Sequence, residues 1–178
     1  MILSGLEIKR LAEMGKEIII TPFDGERVGP NSYDLRLNNI LQVYDLKEGE
    51  FLDMHTQTPT KEIIIPEDGF VLQPGQLYLG STLEYTETHG YVPMLEGRSS
   101  IGRLGVSIHV TAGFGDVGFS GYWTLEIHTL HPVKIYPKER ICQIYYHKIE
   151  GNYEPYKGKY QKNSGVQASQ IYKDVKYV

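Results

Sequence analysis

The chain has 178 residues, 40% hydrophobic and 22% charged, with a formal charge of −4, which fits one soluble domain and argues against broad electrostatic binding to nucleic acid. Its one cysteine, Cys142, excludes an internal disulfide and a cysteine-rich zinc site, and reads as a small buried hydrophobe. No apolar run approaches the roughly 20 residues that span a bilayer and the N-terminus lacks a signal-peptide layout, so a cytoplasmic protein without membrane contact is expected.

Ser4 and Glu7 have capping-box spacing, Leu6, Ile8, Leu11 and Met14 fall on neighbouring helical faces, and Gly15 offers a stop. This predicts one helix over 4–14. The chain then turns to short strand-like runs. They are EIIITPF, SYDLRL, ILQVYDL, KEIIIP, GFVL, QLYLGSTLEYTE, YVPMLEG, GVSIHV, GYWTLEIHTL, VKIYP and ICQIYYHKI. Turn signals such as DGERVGPN, PEDG, QPGQ and GFGDVGFSG separate them. Many short strands without a repeat predict a mostly β fold: a sandwich, jelly roll or distorted barrel. The final segment, 151–178, is polar and aperiodic but carries Tyr156, Lys159 and Tyr160. It reads either as a frayed terminus or as a segment that orders over a ligand.

The stretch 97–127 concentrates chemistry. In Gly97-Arg98-Ser99-Ser100 the serines can open a helical turn whose free amides attract phosphate, and Arg98 and Arg103 can grip phosphate oxygens with fixed planar donors. The bland alternative is a surface turn with solvated arginines. In Thr111-Ala112-Gly113-Phe114-Gly115-Asp116 the glycines allow close approach of backbone to a ligand, and Asp116 can accept from a sugar hydroxyl or bond its own hairpin. In GYWTLEIH, Trp123, Leu125 and Ile127 alternate with Tyr122, Thr124 and Glu126. Glu126 is then either a solvated acid or, if a neighbour covers its face, a desolvated proton shuttle. The histidines form no persuasive metal site: His128 and His131 fall on opposite faces of a strand. The H-x-E with C-x-x-C signature of zinc deaminases does not occur.

GRSSIGRLG, HVTAGFGDVGFSG and TLEI, in that order, closely resemble the dCTP deaminase family, a branch of the trimeric dUTPase superfamily. MILS, VGPNSYDLRL, ICQI and GKYQ…SGVQASQIY agree in order, so the resemblance spans nearly the whole chain. It implies a distorted β-barrel or jelly roll with a short N-terminal helix, and a homotrimer with sites between subunits. The segment 151–178 would close over each site. The resemblance makes Glu126 the proton carrier for attack of water on cytosine C4, with Ser99 and the Ala112 carbonyl holding that water. Arg98, Ser99, Ser100, Ile101, Gly102 and Arg103 match the triphosphate-binding run, some reaching in from a neighbouring subunit. Val110, Thr111, Thr124, Leu125 and Glu126 line the nucleotide, and Asp116 reads the deoxyribose 3′-hydroxyl. Gln143, Tyr156, Lys159 and Asn163 fall at further nucleotide contacts. Asn163 stands where many relatives have glutamine, and Tyr156 lies nearer Lys159 than in some.

The same resemblance implies no zinc, and Mg²⁺ carried by the triphosphate. Gly113-Phe114 matches members that also hydrolyse the triphosphate, which implies dUMP, ammonia and pyrophosphate as products. Relatives usually carry a branched apolar residue where this chain has Gly115, so a looser loop is expected. The alternatives are a deaminase that releases dUTP, a dUTPase alone, and a non-catalytic nucleotide-binding trimer.

Overall fold

The computed structural model describes residues 1–108 and 112–175. Helix α1 (Gly5–Met14) starts and stops where its sequence predicts: the Ser4 hydroxyl accepts from the Glu7 N–H at 3.3 Å, and Gly15 ends it with φ 60°. Only half of the capping box forms, because the Glu7 carboxylate takes Arg10 instead. Ile8 and Leu11 enter the core, whereas Leu6 and Met14 stay exposed, so the buried stripe is narrower than the periodicity suggested.

Thirteen strands follow among the described residues: β1 (Ile18–Thr21), β2 (Tyr33–Arg36), β3 (Ile40–Tyr44), β4 (Thr60–Ile64), β5 (Phe70–Leu72), β6 (Tyr78–Ser81), β7 (Tyr85–Thr88), β8 (Tyr91–Gly97), β9 (Val106–Ile108), β10 (Ser120–Gly121), β11 (Thr124–Thr129), β12 (Val133–Ile135) and β13 (Arg140–Lys148). A four-residue helix, α2 (Ser99–Gly102), joins β8 to β9. The largest sheet has the order β4-β3-β6-β11-β9. A second is β2-β13-β8, a third β1-β7-β10, and β5 pairs with β12. All the named strand pairs are antiparallel.

Two runs that read as single strands each divide in two. QLYLGSTLEYTE becomes β6 and β7, and GYWTLEIHTL becomes β10 and β11. Both break at one corner, where Thr82 donates its N–H to the Trp123 carbonyl at 2.9 Å and its hydroxyl accepts from the Trp123 N–H at 3.0 Å. The chain thereby passes from one sheet to the next. Beside that corner Glu84 is wholly buried. Its carboxylate accepts from Arg27 at 2.9 Å, from Arg36 Nε at 2.7 Å and from the Arg36 backbone N–H at 2.8 Å. A buried carboxylate is tolerated because it is paired and hydrogen-bonded. The core between the sheets is closed by Tyr33, Tyr146, Leu35, Leu95, Leu125 and Ile127.

Candidate active site

β11 places the acid. Trp123, Leu125, Ile127 and Thr129 are buried, while Tyr122, Thr124 and Glu126 alternate with them on the opposite, half-buried face. Glu126 pairs with Leu79 of β6 and lines a pocket of about 410 Å³. Leu77, Leu79 and Tyr44 form one wall, and Ala112, Phe114, Gly115, Asp116 and Phe119 another. The remaining wall comes from Tyr156, Tyr160, Asn163, Gln167 and Ser169 of the C-terminal segment.

That segment is docked as a strap. The Tyr156 N–H donates to Val117, the Lys162 N–H to Ser120, and the Tyr122 N–H to Asn163, at 2.8, 2.8 and 3.0 Å. The Asn163 amide donates to the Tyr122 carbonyl, the Thr124 hydroxyl and the Gly165 carbonyl at 2.8, 3.2 and 2.7 Å. Although it lines the pocket, Asn163 therefore spends its donors on holding the strap. Lys159 lines no part of the pocket; its ammonium bonds the Asp174 carboxylate, which holds it above the usual lysine range.

The Gly113–Gly115 loop is fastened along β8: Leu95 donates to the Gly113 carbonyl at 2.7 Å and Gly115 donates to the Pro93 carbonyl at 2.9 Å. Gly115 is buried, and a Cβ there would run into the Trp123 ring and the Pro93 carbonyl. The expectation of a loose loop is thus reversed, because here the glycine is what lets Trp123 pack. Phe114 is 69% exposed at the pocket's rim, and Asp116 is exposed on its wall.

The phosphate-type residues lie elsewhere. Arg98, Ser99, Ser100, Ile101, Gly102, Arg103 and Gln143 do not line the pocket. Arg98 is held by Asp34, Nε to Oδ1 3.1 Å, and donates to the Arg140 carbonyl at 3.3 Å. Ser99, Ser100, Gly102 and Arg103 are exposed around α2, and Ile101 packs against the core. Gln143, which pairs with Asp34 across β13 and β2, accepts from the Ser32 hydroxyl at 3.4 Å. Leu125 is fully buried in the core, so only its backbone is available to a base. Val110 and Thr111 lie outside the described residues. One chain therefore carries an acid-bearing pocket and, apart from it, a patch of arginines and hydroxyls.

Sequence reasoning missed Asp34 and Arg140 beside Arg98, and Tyr44, Leu77, Leu79, Gln167 and Ser169 in the pocket. The alternation Tyr33-in, Asp34-out in β2 was a signal for Asp34. Nothing local marked the pocket residues, which meet through strand pairing and strap docking.

Residues 2–149 match the family model described as dCTP deaminase-like. Proteins named "dCTP deaminase, dUMP-forming" from Cytophaga hutchinsonii and Clostridium acetobutylicum are each 62% identical over 175 residues, covering 98% of both chains. One from Leptospira biflexa is 56% identical over 176 residues. A crystal structure of 2′-deoxycytidine 5′-triphosphate deaminase from Agrobacterium tumefaciens superposes with a TM-score of 0.62 at 23% identity, over 82% of this chain and 47% of that one. This chain thus spans about half of that structure's length, and the likeness is one of fold.

Proposed function

The chain belongs to the dCTP deaminase-like family, and from that membership we propose that it converts dCTP to dUMP, ammonia and pyrophosphate. The observation that carries this reading is Glu126, half-buried in a pocket faced by Ala112 and Asp116 and roofed by the strap. Glu126 takes a proton from water as its oxygen bonds to C4, and delivers that proton to N3. It then carries the hydroxyl proton to the amine, which leaves as ammonia. The Ala112 carbonyl, with Ser99 brought in by a neighbouring copy, holds the water. A second water, oriented by the Asp116 carboxylate, adds to the α-phosphorus and gives up a proton to that carboxylate and then to solvent. As it adds, the bond from the α-phosphorus to the α–β bridging oxygen breaks and pyrophosphate departs. Magnesium is assigned to the phosphates of the incoming nucleotide, whose oxygens are the hard ligands it takes.

Because the Arg98–Arg103 run and the Glu126 pocket are separate on one chain, the reading includes a homotrimer in which each pocket receives the arginine patch of a neighbouring copy. Arg98 and Arg103 then neutralise the triphosphate and the Ser100 hydroxyl donates to it, while Gln143 and Lys159 contact the nucleotide once copies assemble. A cytoplasmic location follows from the substrate; among the described residues no helix is long and apolar enough to cross a membrane.

The test is to follow ammonia and pyrophosphate together from dCTP with Mg²⁺. Equal release with dUMP as product is expected, and Glu126→Gln should bind nucleotide but release no ammonia. Ammonia with accumulating dUTP would sink the hydrolytic half. Silence under conditions where dCTP binds would sink the whole assignment.

A further inference from the structure

Gln161 does not line the pocket, yet its carboxamide joins the strap to the loop beneath it. Its Nε2 donates to the Gly118 carbonyl at 2.7 Å and to the Tyr156 carbonyl at 3.1 Å. Its Oε1 accepts from the Ser120 N–H at 2.9 Å. Both donors and the acceptor are thereby used, and the reverse amide orientation would set oxygen against two carbonyls. The bonds span residues 118, 120 and 156, so one side chain closes the 156–161 turn on itself and fastens it to the β10 loop. Within that turn the Tyr156 hydroxyl accepts from the Tyr160 N–H at 3.2 Å, and both tyrosines face the pocket. Below them Tyr156 neighbours Phe119, with ring centroids 6.3 Å apart, and Phe119 packs on Trp123 at 4.8 Å.

We propose that Gln161 is a positioning residue for the nucleotide pocket: its carboxamide latches the strap shut and so sets where Tyr156 and Tyr160 stand. The proposal rests on the dCTP-to-dUMP reading for its kinetic consequence but not for the latch itself. Gln161→Glu keeps size and the acceptor for Ser120 while replacing both donors with oxygen. Gln161→Met keeps length and removes all three bonds. Losing two donated hydrogen bonds predicts amide exchange about 30-fold faster at Tyr156 and Lys162. A strap that stands open for part of the time weakens apparent binding by its closed fraction. KM for dCTP should therefore rise, by about twofold if the native strap is closed roughly 97% of the time and about tenfold if roughly 70%, while kcat stays within about twofold. A merely misfolded fraction would instead lower kcat and leave KM alone.

The experiment measures hydrogen exchange, steady-state ammonia release and the thermal midpoint on the full-length protein and both variants. Faster exchange at the strap with raised KM and an unmoved midpoint is the expected result. Unchanged exchange overturns the latch, and faster exchange with unchanged KM overturns its role in positioning. If the wild-type protein releases no ammonia from dCTP, the functional reading fails and exchange alone judges the latch.

Discussion

Pairing two inactive variants tests the division of the site between copies. Arg98→Ala removes a cation from the arginine patch, and Glu126→Gln removes the acid from the pocket. Arg98 is mostly buried against Asp34, which keeps Arg140 at 3.4 Å as a second partner. Its loss should therefore cost about 1–3 kcal/mol and leave the chain folded. Each variant alone should lose about a hundredfold or more in rate, the scale of one transition-state donor or one acid–base group. Suppose each working site takes Glu126 from one copy and Arg98 from the next. In randomly mixed trimers from equal co-expression, each half is intact with probability one half. About a quarter of sites should then be whole. Activity near a quarter of wild type would stand far above either parent. The assay is ammonia release from the whole co-expressed pool, homotrimers included, with co-purification of two differently tagged chains to show mixing and size-exclusion light scattering to confirm trimers. Mixed trimers no more active than the mean of their parents would place both groups in one chain's site and refute the reasoning.

Glu84→Ala leaves Arg27 and Arg36 facing each other without their shared carboxylate, and should destabilise by about 3–5 kcal/mol, lowering the melting temperature by roughly 10 °C. A calorimetric shift below about 2 °C would mean the triad is not holding the corner. Gly115→Val should cost about 1–3 kcal/mol by driving a side chain into Trp123, and should move the emission of this single tryptophan. Unchanged emission and stability would show that the loop yields instead. Burial pushes the Cys142 thiol far above its ordinary range, so the native protein should resist a disulfide reagent at about pH 8 while the unfolded chain reacts. The unfolded thiol loses its proton first as pH rises, so the contribution is complete below about pH 8.5 and lost above it, and the urea midpoint should fall between about pH 8 and 10.

Local patterns were legible because they depend on neighbours in sequence. Ser4, Glu7 and Gly15 bounded α1, and the alternation through Trp123–Ile127 separated the core face from the face that carries Glu126. Alternation names a face but not what covers it. That Glu84 is buried depends on Arg36 and Arg27, 48 and 57 residues away, which no local window contains. The polar C-terminal segment left no periodic trace because its order comes from backbone bonds to a surface elsewhere in the chain. Its expected contacts also divided: Tyr156 and Asn163 reach the pocket, while Lys159 turns to Asp174.

The glycines of GFGDVGFSG carry a different meaning in three dimensions. In sequence they suggest a backbone cleared for a ligand. In the structure two of them clear it for the strap. Gly118 has φ 86°, and a Cβ there would lie 2.6 Å from Pro155 Cβ and 3.1 Å from the Tyr156 nitrogen. Gly121 has φ 144°, and its Cβ would lie 2.7 and 2.8 Å from the Asn163 backbone N and O. Both conformations favour glycine, and the contacts are with main chain and with a proline ring fixed to it, neither of which can turn aside. Backbone laid this closely on backbone brings the strap within hydrogen-bonding reach of β10 and the start of β11, two residues before Glu126. The acid proposed to move protons and the segment that would keep bulk water from it are thus registered to the same short stretch of chain. A proton carrier that works in a closed site needs this registration, since each step from water to N3 to the departing amine fails if solvent competes for the proton.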